Sequence, residues 1–184
     1  MSTELWDLLD ADGRPTGRLA ARTAAGDPAA DLAPGDWRRI VCVCLFNPSG
    51  QLLIQRRDAT KRGWPGRWDI TAGGSVLAGE TSQQGAAREL REEVGVDLDL
   101  TGQRPHLTLT GPTAFYDYYV ADVGDLDPAG LTLQAEEVQA VRWAGLPEIL
   151  AMIDDGTFVP LHRPLAELLF AVRLKPGDVS QDAY

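Results

Sequence analysis

Glu89, Glu92 and Glu93 fall at i, i+3 and i+4. On a helix that spacing lines three carboxylates along one side. Unrelieved, each exposed like-charge pair costs roughly a few tenths of a kcal/mol. Two readings follow: a solvated acidic face, or a row of ligands whose repulsion a divalent cation removes. Oxygen ligands of this kind suit Mg²⁺, with Mn²⁺ as a substitute, because both prefer carboxylates, water and phosphates. Arg88 stands beside the first of the three.

A second set of groups has the opposite sign. Between Arg38 and Arg67 lie seven basic residues, Arg38, Arg39, Arg56, Arg57, Lys61, Arg62 and Arg67, against one acid, Asp58. That window is +6 in a chain of net charge −10, so the remainder is −16. A small basic patch on an acidic protein fits a compact anion better than a long polyanion. Guanidinium groups pair bidentately with phosphate and an ammonium binds it as a point charge, so Arg56, Arg57, Lys61 and Arg67 are candidates to grip one. Arg56 and Arg57 are neighbours on an expected strand and should point to opposite faces, so at most one enters a cleft. Trp64, Trp68, Phe115 and Tyr118 could stack a ring, although packing in the core is the commoner use of such residues. Cys42 and Cys44 share a strand face without a second cysteine pair, which fits small buried residues better than a metal site. His106 and His162 are isolated.

The elements that must position these groups can be read from periodicity. Glu4–Asp10 reads as a short strand ending in the turn signal Asp-Ala-Asp-Gly. Arg39–Phe46 and Gln51–Arg56 flank Asn47-Pro48-Ser49-Gly50 as a hairpin. Asp58–Arg67 is a basic loop, and Trp68–Thr71 a short strand running into a Gly-rich turn, Ala72-Gly73-Gly74. Thr81–Val94 changes period: Ala87, Leu90 and Val94 form an apolar helix stripe, with Thr81 or Ser82 as N-cap and Gly95 as the stop. His106–Thr110, Ala114–Val123, Leu131–Leu133 and Val138–Trp143 read as strands, and Leu146–Asp154 and Pro160–Leu174 as closing helices. Thr23–Asp36 reads as a loop or a frayed helix end. The order predicts a mixed-sheet α/β or α+β sandwich.

One long pattern frames the glutamates. Gly74, Glu80, Arg88-Glu89-Leu90, Glu92-Glu93 and Gly95-Val96 match the Nudix signature at each specified position from Gly74 to Val96. The chain therefore resembles the Nudix hydrolases. Outside this box, Gln55-Arg56-Arg57, Trp64-Pro65-Gly66-Arg67-Trp68-Asp69, Thr71-Ala72-Gly73-Gly74, Glu136-Glu137-Val138 and Leu146-Pro147-Glu148 are similar to the branch related to isopentenyl-diphosphate isomerase. So is the opening, Leu5-Trp6-Asp7-Leu8-Leu9-Asp10 with Gly17-Arg18.

The resemblance implies a Nudix-type α/β/α sandwich with a mixed central sheet, as one domain over 1–184 with residues 1–36 as an N-terminal extension. It implies metal-assisted attack of water on a diphosphate bridge. Glu89, Glu92 and Glu93 would be the metal ligands, with the Gly73 carbonyl beside them. Arg88 would orient Glu89, Glu80 would support the box, and Gly74 and Gly95 would shape it. The general base would be Glu89, or failing that Glu136 or Glu137. Many relatives pair as homodimers. Specificity would come from loops near 23–37, 58–67 and 111–117.

Three functional classes remain to be weighed. The isomerases place a catalytic cysteine where this chain has Gly73, and use histidines upstream of the box where this chain has none before His106. Isomerisation needs a proton donor and acceptor on opposite sides of the substrate. A non-catalytic binding module would be expected to lose box glutamates, and all are kept. Hydrolysis of a small diphosphate compound is the expectation that survives. The excess of acid disfavours a nucleic-acid polymer or an anionic membrane as partner. The 44% hydrophobic content excludes global disorder. Two cysteines exclude a disulfide framework, and with an acidic Met1–Asp10 lacking a basic signal region they give a cytoplasmic location as the expectation.

Overall fold

The computed structural model describes residues 4–21 and 32–173. Most of the expected loop at 23–36 lies outside the described residues. Strands β1 (Leu5–Leu9) and β2 (Pro15–Ala21) form an antiparallel ribbon with Leu5 opposite Ala21 and Leu9 opposite Pro15. Its turn is closed by Asp10, whose Oδ1 accepts the N–H groups of Asp12 and Arg14 at 3.0 and 2.9 Å. The remaining strands are β3 (Arg38–Phe46), β4 (Leu52–Arg57), β5 (Trp68–Asp69), β6 (Ala72–Ser75), β7 (Leu107–Thr110), β8 (Ala114–Asp122) and β9 (Val138–Ala144). They form one seven-stranded sheet in the order β5-β4-β3-β8-β7, with β6 paired to β3 and β9 to β4. The helices are α1 (Ser82–Val94), α2 (Leu146–Asp154) and α3 (Arg163–Val172). This is the mixed α+β class that the order of elements predicts.

The fold divides into two compact units. One takes the described residues up to Cys42 with Gly73–Glu89 and Asp97–Tyr119; the other takes Val43–Ala72, Leu90–Val96 and the described residues from Val120 onward. The first unit buries Trp6, Val41, Ala86, Ala114 and Tyr119. The Arg38 guanidinium lies 4.8 Å from the Trp6 ring. A fully buried carboxylate, Asp117, is held there by Arg39 Nη1 at 2.7 Å, Ser82 Oγ at 2.6 Å and Thr108 Oγ1 at 2.7 Å. A buried charge is tolerated when it is paired and hydrogen-bonded in this way.

The second unit buries Leu45, Phe46, Leu53, Ile54, Leu90, Val94, Ile149 and Leu169. Phe46 and Phe170 meet edge to face at 4.9 Å, which seats α3 on β3. β4 pairs with β9 from Leu52↔Ala144 to Arg57↔Val138, and at its far end with β5, Gln55↔Asp69 and Arg56↔Trp68. Buried Thr71 ties β3 to β4: its Oγ1 accepts the Leu45 N–H at 2.9 Å and donates to the Leu53 carbonyl at 2.6 Å.

Three expectations need correction. Gly73 and Gly74 lie in strand β6, not in a turn, and neither has a positive φ. Leu131–Leu133 forms no strand; the chain there passes from a short 3₁₀ turn (Pro128–Gly130) to the end of α1, where the Gln134 N–H donates to the Glu93 carbonyl at 3.1 Å. The buried stripe of α1 is Ala86, Leu90, Glu93 and Val94, with Ala87 only half-buried, so a glutamate enters the core face that the apolar pattern assigned to Ala87, Leu90 and Val94.

Candidate active site

Helix α1 begins with a reciprocal cap. The Thr81 N–H donates to Gln84 Oε1 at 2.8 Å and the Gln84 N–H donates to Thr81 Oγ1 at 3.3 Å, which selects Thr81 over Ser82 as N-cap. It ends at Gly95, with φ +70°, whose N–H donates to the Arg91 carbonyl at 3.1 Å. A side chain at Gly95 would also meet the Thr132 carbonyl at 2.7 Å. Both ends of the helix bearing the glutamates are therefore fixed by local chemistry.

In the first unit Arg88 is the hub. It donates to Glu80 from Nε at 2.9 Å and Nη2 at 3.1 Å, to the Ser75 carbonyl at 2.9 Å, and from Nη1 to Glu89 Oε1 at 2.9 Å. Burial works against both partners' charges, yet the pairing prevails. Glu80 is held below the usual glutamate value by the guanidinium and the Leu77 N–H, and Arg88 is held above its own. Glu89 is thus tethered to Arg88. Its carboxylate occupies the space where a side chain at position 74 would be: a Cβ on Gly74 would lie 2.1 Å from Glu89 Oε1. A Cβ on Gly73 would lie 2.9 Å from the Val41 carbonyl. The glycines of β6 answer to close approach rather than to a turn.

In the second unit Glu93 is 4% exposed and Gln55 is 2% exposed. Gln55 Nε2 donates to Glu93 Oε2 at 2.9 Å. Glu92 is exposed. Along the sequence of the helix Glu89 is half-buried, Glu92 exposed and Glu93 buried. Among the described residues no three His, Cys, Asp or Glu side chains are gathered into a cage for an ion. Glu137 forms an ion pair with Lys61. The turn that carries Glu137 hangs from the end of α1, because Gln134 bonds to the Glu93 carbonyl and accepts the Glu137 N–H at 2.9 Å. Glu136 is exposed.

The four expected phosphate-gripping residues lie on β4 and the loop that follows it, all in the second unit. Arg56 Nε donates to the Gly66 carbonyl at 3.1 Å, and Arg57 Nε to the Gly63 carbonyl at 2.8 Å. Both guanidiniums therefore reach the same loop, contrary to strict alternation. The register against β9 shifts between Arg56 and Arg57, and such a bulge breaks the alternation. Arg57 also bonds Asp69 at 3.0 Å. Burial pushes the Asp69 carboxyl above its usual value, with Arg57 opposing. Arg67 lies 5.0 Å from the Trp64 ring, a cation–π contact. Trp64 is exposed and has φ +53°, unusual for a residue with a side chain, whereas Phe115 and Tyr118 are buried. The two cysteines are buried in β3.

Gln55, Asp69, Thr71 and Asp117 were not expected at the site or in buried polar roles. Two left a trace in the sequence: Gln55 closes the apolar run Leu52-Leu53-Ile54, and Asp117 interrupts a strand of aromatic residues. A polar residue inside an apolar strand demands a partner.

The fold and this box-bearing helix define a class, and comparison with known proteins names it. Residues 36–169 match the NUDIX domain family. The chain is 42% identical over 157 residues to an uncharacterized Nudix hydrolase of Listeria monocytogenes, covering 85% of this chain and 89% of that protein. It is 34% identical over 163 residues to an isopentenyl-diphosphate Delta-isomerase of Escherichia coli, covering 84% of each. The crystal structure of DR0079 from Deinococcus radiodurans is similar with a TM-score of 0.68 and 28% identity, covering 90% of this chain and 97% of that one. The chain belongs to the Nudix hydrolase family. It is a Nudix-type hydrolase, of a class that cleaves diphosphate linkages in small molecules and generally uses a divalent metal ion. No helix among the described residues is long and apolar enough to cross a membrane.

Proposed function

We propose that the chain is a Mg²⁺-dependent diphosphohydrolase acting on a nucleoside diphosphate-linked or related small molecule. One observation carries this reading: α1 buries Glu93 within its core stripe, one helical turn from Glu89, inside a complete box. Burying a carboxylate costs several kcal/mol unless it is compensated, and a bound cation would add to the compensation that the Gln55 amide already gives Glu93. The donor set fits a hard cation, being all oxygen, and Gly74 leaves room for the Glu89 carboxylate that a side chain would fill. Glu89, Glu92 and Glu93 would hold the ion, with the Gly73 carbonyl beside them. A bound divalent cation would offset diphosphate charge and lower the pKa of an attacking water.

The chain's own groups do the rest. Arg88 fixes Glu89 in place. Arg56, Arg57 and Arg67, anchored to loop carbonyls and to Trp64, present cationic edges to an anionic substrate. Lys61 joins them if its pairing with Glu137 opens, and that release would let Glu137 accept a proton; Glu89 is the other candidate base. The likeness to an isomerase favours a second reading. Against it stands Gly73, where a cysteine side chain would start 2.9 Å from the Val41 carbonyl.

The test is turnover. Purified protein with Mg²⁺ or Mn²⁺, given a panel of nucleoside diphosphate-linked compounds together with isopentenyl diphosphate, is expected to hydrolyse a diphosphate bridge and to leave the isoprenoid unisomerised. Glu93→Gln is expected to abolish hydrolysis. Silence across the panel with both metals, or isomerisation without hydrolysis, would overturn the proposal.

A further inference from the structure

Glu93 accepts a hydrogen bond from outside its own helix. It lies in the second unit beside Leu90 and Val94, and the amide of Gln55 on β4 reaches it there. Both side chains are nearly sealed from water, so their hydrogen bond is made in a medium where an amide and a carboxylate need each other. An amide nitrogen only donates, so Gln55 is the donor and Glu93 Oε2 the acceptor.

An amide supplies direction without charge. Arg88 holds Glu89 with a full positive charge, which competes with any cation for that carboxylate; Gln55 adds none at Glu93. Gln55 is itself fixed on both sides by the sheet, paired with Val141 on β9 and with Asp69 on β5. It stands on rigid backbone, as a group that aims another must.

From this we infer that Gln55 is a positioning residue for metal binding, setting the rotamer of Glu93 through the Nε2–Oε2 hydrogen bond. The inference rests on the proposal that Glu93 is a metal ligand. Outer partners of metal ligands typically change affinity by about 10–100-fold when removed.

The experiment is Mn²⁺ binding to the full chain without substrate, followed by the electron paramagnetic resonance signal of the free ion. Gln55→Leu is expected to weaken binding at least about 10-fold, and Glu93→Gln to weaken it further. If Gln55→Leu binds like the wild type while Glu93→Gln does not, the inference on Gln55 fails and the metal site stands. If Glu93→Gln also binds like the wild type, the metal-site reading itself fails. Gln55→Leu leaves a buried carboxylate short of a donor and is liable to misfold, so the wild type supplies an independent readout. Equimolar Mn²⁺ is expected to broaden the side-chain amide resonance of Gln55 beyond detection. An unaltered resonance would place the ion away from Glu93 and overturn the metal-site reading together with the inference that rests on it.

Discussion

A methyl group added at position 74 would land 2.1 Å from Glu89 Oε1, the tip of a flexible side chain, whereas one added at 73 would land 2.9 Å from the Val41 carbonyl, which is backbone. The two adjacent glycines should therefore fail differently. Gly74→Ala is expected to fold with little loss of stability, because the Glu89 carboxylate can swing away, and to lose most of its activity because the carboxylate is displaced. Gly73→Ala is expected to cost about 1–3 kcal/mol, since strand must move against strand. Thermal melts beside a hydrolysis assay separate the two. A fully active Gly74→Ala would show that the resting place of Glu89 is irrelevant to the reaction. Thr71 gives a purely structural counterpart. Thr71→Val keeps the shape but deprives the buried Leu45 N–H and Leu53 carbonyl of their shared partner, at an expected cost of about 1–3 kcal/mol in a urea titration.

At the level of elements, α1 should owe part of its stability to its first turn. Thr81→Ala removes the side-chain half of the reciprocal cap and is expected to cost about 1 kcal/mol, read from the midpoint of denaturant unfolding. This helix was legible in the sequence because its signals are local: a capping threonine, a period of 3.6, a stopping glycine. Strand β2 was not, because its residues are nearly all exposed and carry no alternation, and it is defined by its pairing with β1. Leu131–Leu133 misled for the converse reason. Three alternating residues imitate a strand, but the chain there is committed to the end of α1 through Gln134 and to close contact between Thr132 and Gly95. The strand position of Gly73 and Gly74 was hidden too, since the groups that crowd them come from β3 and α1. In the candidate site, the box glutamates could be read directly, whereas the hydrogen bond from Gln55 to Glu93 needed the fold.

For the whole molecule, acid should act partly through Glu80. Its folded-state pKa lies below the unfolded value, so the stability it contributes is present above that unfolded value, about pH 4.3. This contribution is lost as pH falls through the folded value. Glu80→Gln is expected to be less stable than the wild type at neutral pH and to show a shallower decline in acid, measured as denaturant midpoints across the pH range. Parallel declines would show that Glu80 carries no linkage. Asp69 opposes this trend. Burial raises its pKa, so its contribution is present at low pH and is lost as pH rises through the folded value.

The five tryptophans are not equally open to solvent. Trp6 is sealed, Trp37, Trp68 and Trp143 are half-covered, and Trp64 is 49% exposed on the loop that carries Lys61 and Arg67. A collisional quencher such as iodide should thus extinguish the emission of one indole ahead of the rest, and the cationic neighbours of Trp64 should draw that anion in. This gives the protein a built-in optical reporter: a compound that settles over the loop would shield that fraction of the fluorescence, and one that binds elsewhere would leave it exposed.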